Sequence, residues 1–369
     1  MKFNYLMPVR IISGEGCVLN NAEVLKGFGK KSLIVCGAHS AKANGSLDDV
    51  TAALSQNGQD YCVYDKVMSN PTISCVYEGA EFAKENGVDF VVAIGGGSPM
   101  DAAKAIALLA KQDIPQEKLF DASCFTDEIL PMAFVPTTAG TGSEVTQYSI
   151  LTNDAAQTKT SIAAPLMFPD VAFLDGKYML GLGLRTTVNT AVDALSHSIE
   201  GMLSASASVI TDTLAAKSIE MIGSCIPALQ KGELTLEQRN ILLEASTLAG
   251  MVIAQTGTTS VHVMGYSLTY FRGIDHGRAN GLLLGETLRY IEQRAPALVK
   301  KAIYPLGFSK AEQLKDLLDE LLGDKESISK DEIAQFAAKA YVNKNLKNGR
   351  IFPDKQGIID IYTKSFASE

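Results

Sequence analysis

The rhythm of apolar and polar positions changes once along this chain. In the first half, short apolar runs stand at Ser32–Cys36, Val88–Ile94, Met132–Val135 and Val171–Leu174, bounded by Gly, Pro and Lys turns. Runs this short and this apolar predict strands buried on both faces. Between them, Met100–Lys111 is rich in alanine and leucine and predicts a helix. Strands alternating with helices predict a parallel α/β sheet wound on both sides. From about Arg185 onward the period is helical. Helices are expected at Asn189–Leu203, Val209–Ile222, Leu236–Ile253, Ser260–Tyr270, Ser309–Leu322 and Lys330–Tyr341. The turn Gly181-Leu182-Gly183 marks the boundary, which gives an α/β domain over residues 1–182 and an all-helical domain over 183–369.

Composition changes this picture only by exclusion. A net charge of −8 over 369 residues, with no basic stripe, argues against nucleic acid as the partner. The N-terminal MKFNYLMPVRIISGEG does not have the layout of a secretory signal. No apolar run approaches the ~18 residues that would span a membrane. The six cysteines are scattered with no CxxC pair, as expected of buried thiols in a reducing cytoplasm.

Histidine is used sparingly and in one place. Three of the four histidines fall in two short stretches, Asp193-Ala-Leu-Ser-His197 and the segment from His262 to His276. A spacing of four puts Asp193 and His197 on one face of a helix. With two more imidazoles they make a one-carboxylate, three-histidine set: imidazole suits iron, zinc, nickel and copper, and the carboxylate shifts the balance away from the softest metals. The plainer alternative is a group of hydrogen-bonded core histidines.

Two Gly-rich segments follow predicted strands. In Gly95-Gly96-Gly97-Ser98-Pro99-Met100-Asp101, glycines permit close approach of a pyrophosphate to a helix N-terminus, which Ser98 would cap. Asp101 would favour the helix dipole. Pro136-Thr137-Thr138-Ala139-Gly140-Thr141-Gly142-Ser143-Glu144 offers hydroxyls and amides to a phosphate or ribose. Two such loops suggest a dinucleotide across the carboxyl ends of the strands, although the usual GxGxxG spacing is absent.

Taken in order, GGGSPMDAAK, PTTAGTGSEVT, VDALSHSIEG and HVMGY…DHGRANG resemble the iron-containing (group III) alcohol dehydrogenase family over nearly the whole chain. The resemblance implies a nucleotide-binding N-terminal domain of the dehydroquinate-synthase-like kind and a helical metal-binding C-terminal domain. It implies Asp193, His197, His262 and His276 as ligands of Fe(II), with zinc or nickel as alternatives. The implied cofactor contacts are Gly95, Gly96, Gly97, Ser98, Asp101, Thr137, Thr138, Thr141 and Ser143, with Lys159 at the nicotinamide ribose and Asn70 near the adenosine. The implied reaction is reversible reduction of a small aldehyde to a primary alcohol or diol, in a cytoplasmic homodimer.

Two positions depart from the family pattern. Gly37 stands where many members carry an acidic residue for the adenosine ribose. Losing that carboxylate favours NADP(H) over NAD(H), with Ser40, His39 or Lys42 near a 2′-phosphate. Tyr266 stands where many carry a further histidine. Tyrosine, with an unperturbed pKa of ~10, is a poorer proton carrier, so a pocket-shaping role is expected. Phe271 and Val145 are candidate pocket residues, and Arg272 and Arg278 are candidates for an anionic substrate. Two other functions share the architecture: a zinc-dependent polyol dehydrogenase of the glycerol type, and a non-catalytic nucleotide-binding assembly protein.

Overall fold

The computed structural model describes residues 3–366. These form two compact units. One comprises Met7–Leu182 with Thr235–Leu243, and the other comprises the described residues before Met7, Gly183–Leu234, and the chain from Glu244 onward. The break at Leu182/Gly183 falls within the Gly181-Leu182-Gly183 turn. The short segment Thr235–Leu243 belongs with the first unit. There Asn240 accepts from the Gly176 amide at 2.8 Å and Arg239 donates to the Leu182 carbonyl at 3.0 Å.

The first unit is built on six parallel strands: β1 (Arg10–Ser13), β2 (Lys31–Cys36), β3 (Asp60–Tyr64), β4 (Phe90–Gly95), β5 (Met132–Pro136) and, after a two-stranded hairpin of β6 (Tyr148–Asn153) and β7 (Thr158–Ala163), β8 (Val171–Leu174). Their order is β1-β8-β5-β4-β2-β3. Alternate residues feed two cores. Leu33, Val35, Val91, Ala93 and Phe134 face the helices Ile73–Glu85 and Gly97–Leu109. Ile34, Cys36, Val92, Ile94 and Val135 face the helix Ser46–Gln56 and its neighbours. Burial on both faces is why these strands read as unbroken apolar runs rather than alternations.

Chain connections run outward from β2 to the edge strand β3 and then cross to β4 and β5. The loops after β2, β4 and β5 therefore lie side by side at the carboxyl ends of adjacent strands, where the strand order reverses and such sheets take their ligands.

The second unit contains the helices Leu184–Leu203, Val209–Lys231, Ser260–Arg272, His276–Glu292, Pro296–Ile303, Ala311–Leu322, Lys330–Val342 and Lys355–Ser365, with most of Leu236–Thr256. The sequence pattern does not mark His276–Glu292, because Gly277, Gly281 and Gly285 are poor helix formers. Among the described residues, no helix is long and apolar enough to cross a membrane.

Candidate metal centre and nucleotide loops

The histidine cluster is assembled by close helix packing. Gly277, Gly281 and Gly285 recur every four residues and so share one face of the helix His276–Glu292. A Cβ on Gly277 would come within 1.9 Å of the Asn189 carbonyl oxygen and 3.0 Å of the Asp193 Cβ. Only glycine lets this helix approach Leu184–Leu203 so closely, and that approach brings His276 to Asp193.

Three ligand atoms, one each from Asp193, His262 and His276, lie within 4.8 Å of one another. His197 lies one turn beyond Asp193 on the same helix. Its ring stacks on His262 with centroids 4.5 Å apart, while its nitrogens fall outside that 4.8 Å set. Tyr266, buried, stacks almost parallel on His276 at 5.8 Å.

Asp193 is held in place by Asn280, whose amide nitrogen donates to Oδ1 at 2.9 Å and lies 3.3 Å from His276 Nε2. Burial pushes the Asp193 carboxyl upward, but the His197, His276 and His262 imidazoles outweigh it and hold the group well below the usual carboxylate range. Burial likewise opposes a charge on His262, yet Glu200 and Asp193 win and push it up to about 9. His262 Nε2 is buried with no hydrogen-bond partner, 3.6 Å from Asp193 Oδ1. A buried polar atom left without a partner is costly unless a ligand completes it. Imidazole nitrogens beside one carboxylate are a donor set that suits a borderline divalent metal. On both counts the residues fit such an ion.

Glu200 and Asn280 are the site residues that sequence reasoning missed. Both lie inside the quoted motifs VDALSHSIEG and DHGRANG, and a helix-face projection would have placed Glu200 one turn beyond His197. Arg278 and Arg272 are not free for a substrate. Arg278 is bound to the Glu326 carboxylate and to the Leu322 and Asp324 carbonyls, and Arg272 pairs with Glu332 at 2.7 Å. Phe271 stacks on Phe336 at 5.5 Å and Val145 is fully buried.

In the first unit the two Gly-rich segments pack against each other. A Cβ on Gly96 would lie 2.8 Å from Thr138 Oγ1, and one on Gly97 would lie 2.7 Å from Thr141 Cγ2. The Thr137 amide donates to the Gly95 carbonyl at 2.8 Å. The helix begins at Gly97 with Gly96 at its cap and no side-chain cap. Ser98 is not the cap. It lies within the first turn, and its hydroxyl accepts from the Asn70 amide at 3.1 Å. Asn70 adopts a left-handed conformation (φ 57°), uncommon for a non-glycine residue. Asn70 and the Gly-rich turn, distant in sequence, are thus neighbours.

Asp101 and Ser143 are turned inward. Ser143 donates to Asp101 Oδ1 at 2.6 Å, and the fully buried Lys104 ammonium donates to Ser143 Oγ at 2.8 Å and to the Tyr148 carbonyl at 2.8 Å. Burial lowers the Lys104 pKa to about 8 despite Asp101 and Glu144, and raises that of Asp101. These bonds brace the helix against the loop after β5, and two of the expected cofactor contacts, Asp101 and Ser143, are tied into that brace. Lys159, on β7, lies near enough to Asp101 to lower its pKa.

Gly37, half-buried, follows β2, and His39 and Ser40 beyond it are exposed. Lys42 pairs with Asp65 at 2.8 Å. That carboxylate stands just past β3, beside the position where Gly37 lacks one.

Comparison with known proteins agrees with this fold. The model of the iron-containing alcohol dehydrogenases matches residues 8–176, and that of the C-terminal domain of the Fe-containing alcohol dehydrogenase family matches residues 187–366. Alcohol dehydrogenase 4 of Schizosaccharomyces pombe is 32% identical over 86% of this chain and 76% of its own length. Lactaldehyde reductase of Escherichia coli is 34% identical over 70% of this chain and 66% of its own. The crystal structure of an iron-containing alcohol dehydrogenase from Thermotoga maritima superimposes with a TM-score of 0.93, at 38% identity over 99% of both chains. The chain therefore belongs to the iron-containing alcohol dehydrogenase family of oxidoreductases.

Proposed function

We propose that this protein is a metal-dependent oxidoreductase that moves a hydride between NADP(H) and a small aldehyde, giving the primary alcohol or diol. The observation that carries the reading is the buried, partnerless His262 Nε2 facing Asp193 beside His276. Held by Asp193, His197, His262 and His276, a divalent metal, Fe(II) in the first instance, would supply a Lewis acid for a carbonyl oxygen, and a nicotinamide would supply the hydride.

The chain's own residues do the rest. Asp193 stays ionised and, with Asn280 bound to it, keeps one orientation. Tyr266 lies with its ring face against His276 and would shape that side of a substrate site. Gly95, Gly96, Gly97, Thr137, Thr138 and Thr141 would present backbone amides and hydroxyls for a pyrophosphate, with Ser98 and Asn70 beside them and Lys159 on β7. Gly37 supports NADP(H), since it brings no carboxylate of its own against a 2′-phosphate; Asp65 nearby is paired with Lys42, and Lys42 and Ser40 are exposed. Relatives named for alcohols and lactaldehyde support a short-chain substrate.

The test is a set of rates with short aldehydes, using NADPH and NADH, on protein stripped of metal and reloaded anaerobically with Fe(II) or Zn(II). The metal-free protein should be inactive, Fe(II) should restore turnover, and kcat/KM should be higher with NADPH. Full activity after complete metal removal would end the metal reading, and equal or better rates with NADH would end the NADP reading.

A further inference from the structure

Glu200 sits two turns beyond Asp193 and one beyond His197 on the helix Leu184–Leu203, and its carboxylate is completely buried. Oε1 accepts three hydrogen bonds, from the Thr259 amide at 3.0 Å, the Thr259 hydroxyl at 2.5 Å and the Val261 amide at 2.9 Å. Oε2 meets His262 Nδ1. An ionised carboxylate only accepts, so Nδ1 must carry a proton. The second ring nitrogen then faces Asp193 and has no other partner.

We propose that Glu200 is a positioning residue for the metal: it holds His262 through Nδ1–H, so that Nε2 is the nitrogen aimed at the cluster and the one that gives up its proton when an ion binds. This rests on the metal reading above. Two consequences follow from the geometry. The ring cannot rotate without breaking its bond to a carboxylate that is itself anchored at three points. In addition, the two buried carboxylates, Asp193 and Glu200, match the charge of a divalent ion when the imidazoles are neutral. Carboxylates behind metal-bound histidines raise ligand basicity and typically contribute about 10–100-fold in metal affinity.

Glu200→Gln separates orientation from bulk. The glutamine oxygen stays on the Thr259 and Val261 donors, so its NH2 faces Nδ1. The proton on His262 is then driven to Nε2, which caps the lone pair that should bind. Zn(II) and Co(II) affinity, measured by chelator competition on metal-stripped protein, should fall about 10–100-fold or more, and the Co(II) visible spectrum should change. Dinucleotide binding, a property of the other unit, should stay within twofold. Glu200→Asp, which keeps the charge, should recover part of the loss.

Nitrogen-15 NMR of the metal-free parent, recorded above pH 9 where the ring is neutral, reads the His262 tautomer directly, whether or not the variant folds. An Nδ1–H pattern supports the assignment, and an Nε2–H pattern overturns it, as would parent-like Co(II) affinity and spectrum in Glu200→Gln. If His262→Ala bound metal as tightly as the parent, the metal reading would fall instead, and the tautomer measurement would stand apart from it.

Discussion

The two units handle buried polarity in opposite ways. Around the strand ends of the first unit, polar side chains are spent on one another. Ser143 binds Asp101, Lys104 binds Ser143, and Ser98 binds the Asn70 amide. What remains for a ligand is largely backbone, in two loops that pack closely because Gly96 and Gly97 carry no side chain against Thr138 and Thr141. In the second unit, side chains from three helices converge, and one of them, His262, keeps a buried ring nitrogen without a partner. A backbone cradle tolerates many side-chain changes but no added Cβ at the wrong place. A side-chain cluster tolerates added bulk poorly and fails outright when one donor is removed.

The contrast predicts an order of effects. The largest belongs to His262→Ala, which removes a ligand and leaves Glu200 buried without its partner. Turnover should fall roughly thousandfold or more, as expected when several kcal/mol of Lewis-acid stabilisation are lost. Bound metal by elemental analysis should fall with it while dinucleotide binding persists. Retention of both metal and turnover would contradict the cluster reading.

Next comes Gly97→Ala. Its Cβ meets Thr141, so the loop after β5 must shift, costing about 1–3 kcal/mol. Weaker dinucleotide binding by fluorescence titration and a lower Tm are expected, with metal content unchanged. If metal content fell and nucleotide affinity held, the division of labour between the units would be wrong.

The smallest effect concerns cofactor choice. Asp65→Asn frees Lys42 and removes a negative charge, so the ratio of kcat/KM for NADPH over NADH should rise. Lys42→Ala should lower it. Each change should be roughly fivefold, since an exposed charge contributes about 1 kcal/mol. Unchanged ratios in both variants would show that Lys42 does not meet the adenosine ribose.

Legibility in the sequence followed burial. β2, β4, β5 and β8 lie inside the sheet or against its core, and their apolar runs announce them. β1 and β3 are edge strands, and Arg10–Ser13 and Asp60–Tyr64 carry mostly exposed or half-exposed residues that blur the pattern. The hairpin of β6 and β7 is too polar to stand out. In the helical half, the expected helices are all present with ends shifted by a few residues, and Val209–Lys231 continues through Pro227. His276–Glu292 was hidden because the glycines that lower its helix propensity are the ones that let it pack.

The sequence by itself determined the change from strand to helix rhythm, the Gly-rich loops at strand ends, and the face shared by Asp193 and His197. These are local: a period, a turn or a spacing of one helical turn. The tertiary structure decided which polar groups are occupied and which are left over. Asp101 and Ser143 are 42 residues apart, Glu200 and His262 are 62 apart, and Asp193 and Asn280 are 87 apart. Hydrogen bonds over such separations leave no period to read. They follow from where packing sets the elements, and for Asp193 and Asn280 the close approach allowed by Gly277 sets that distance.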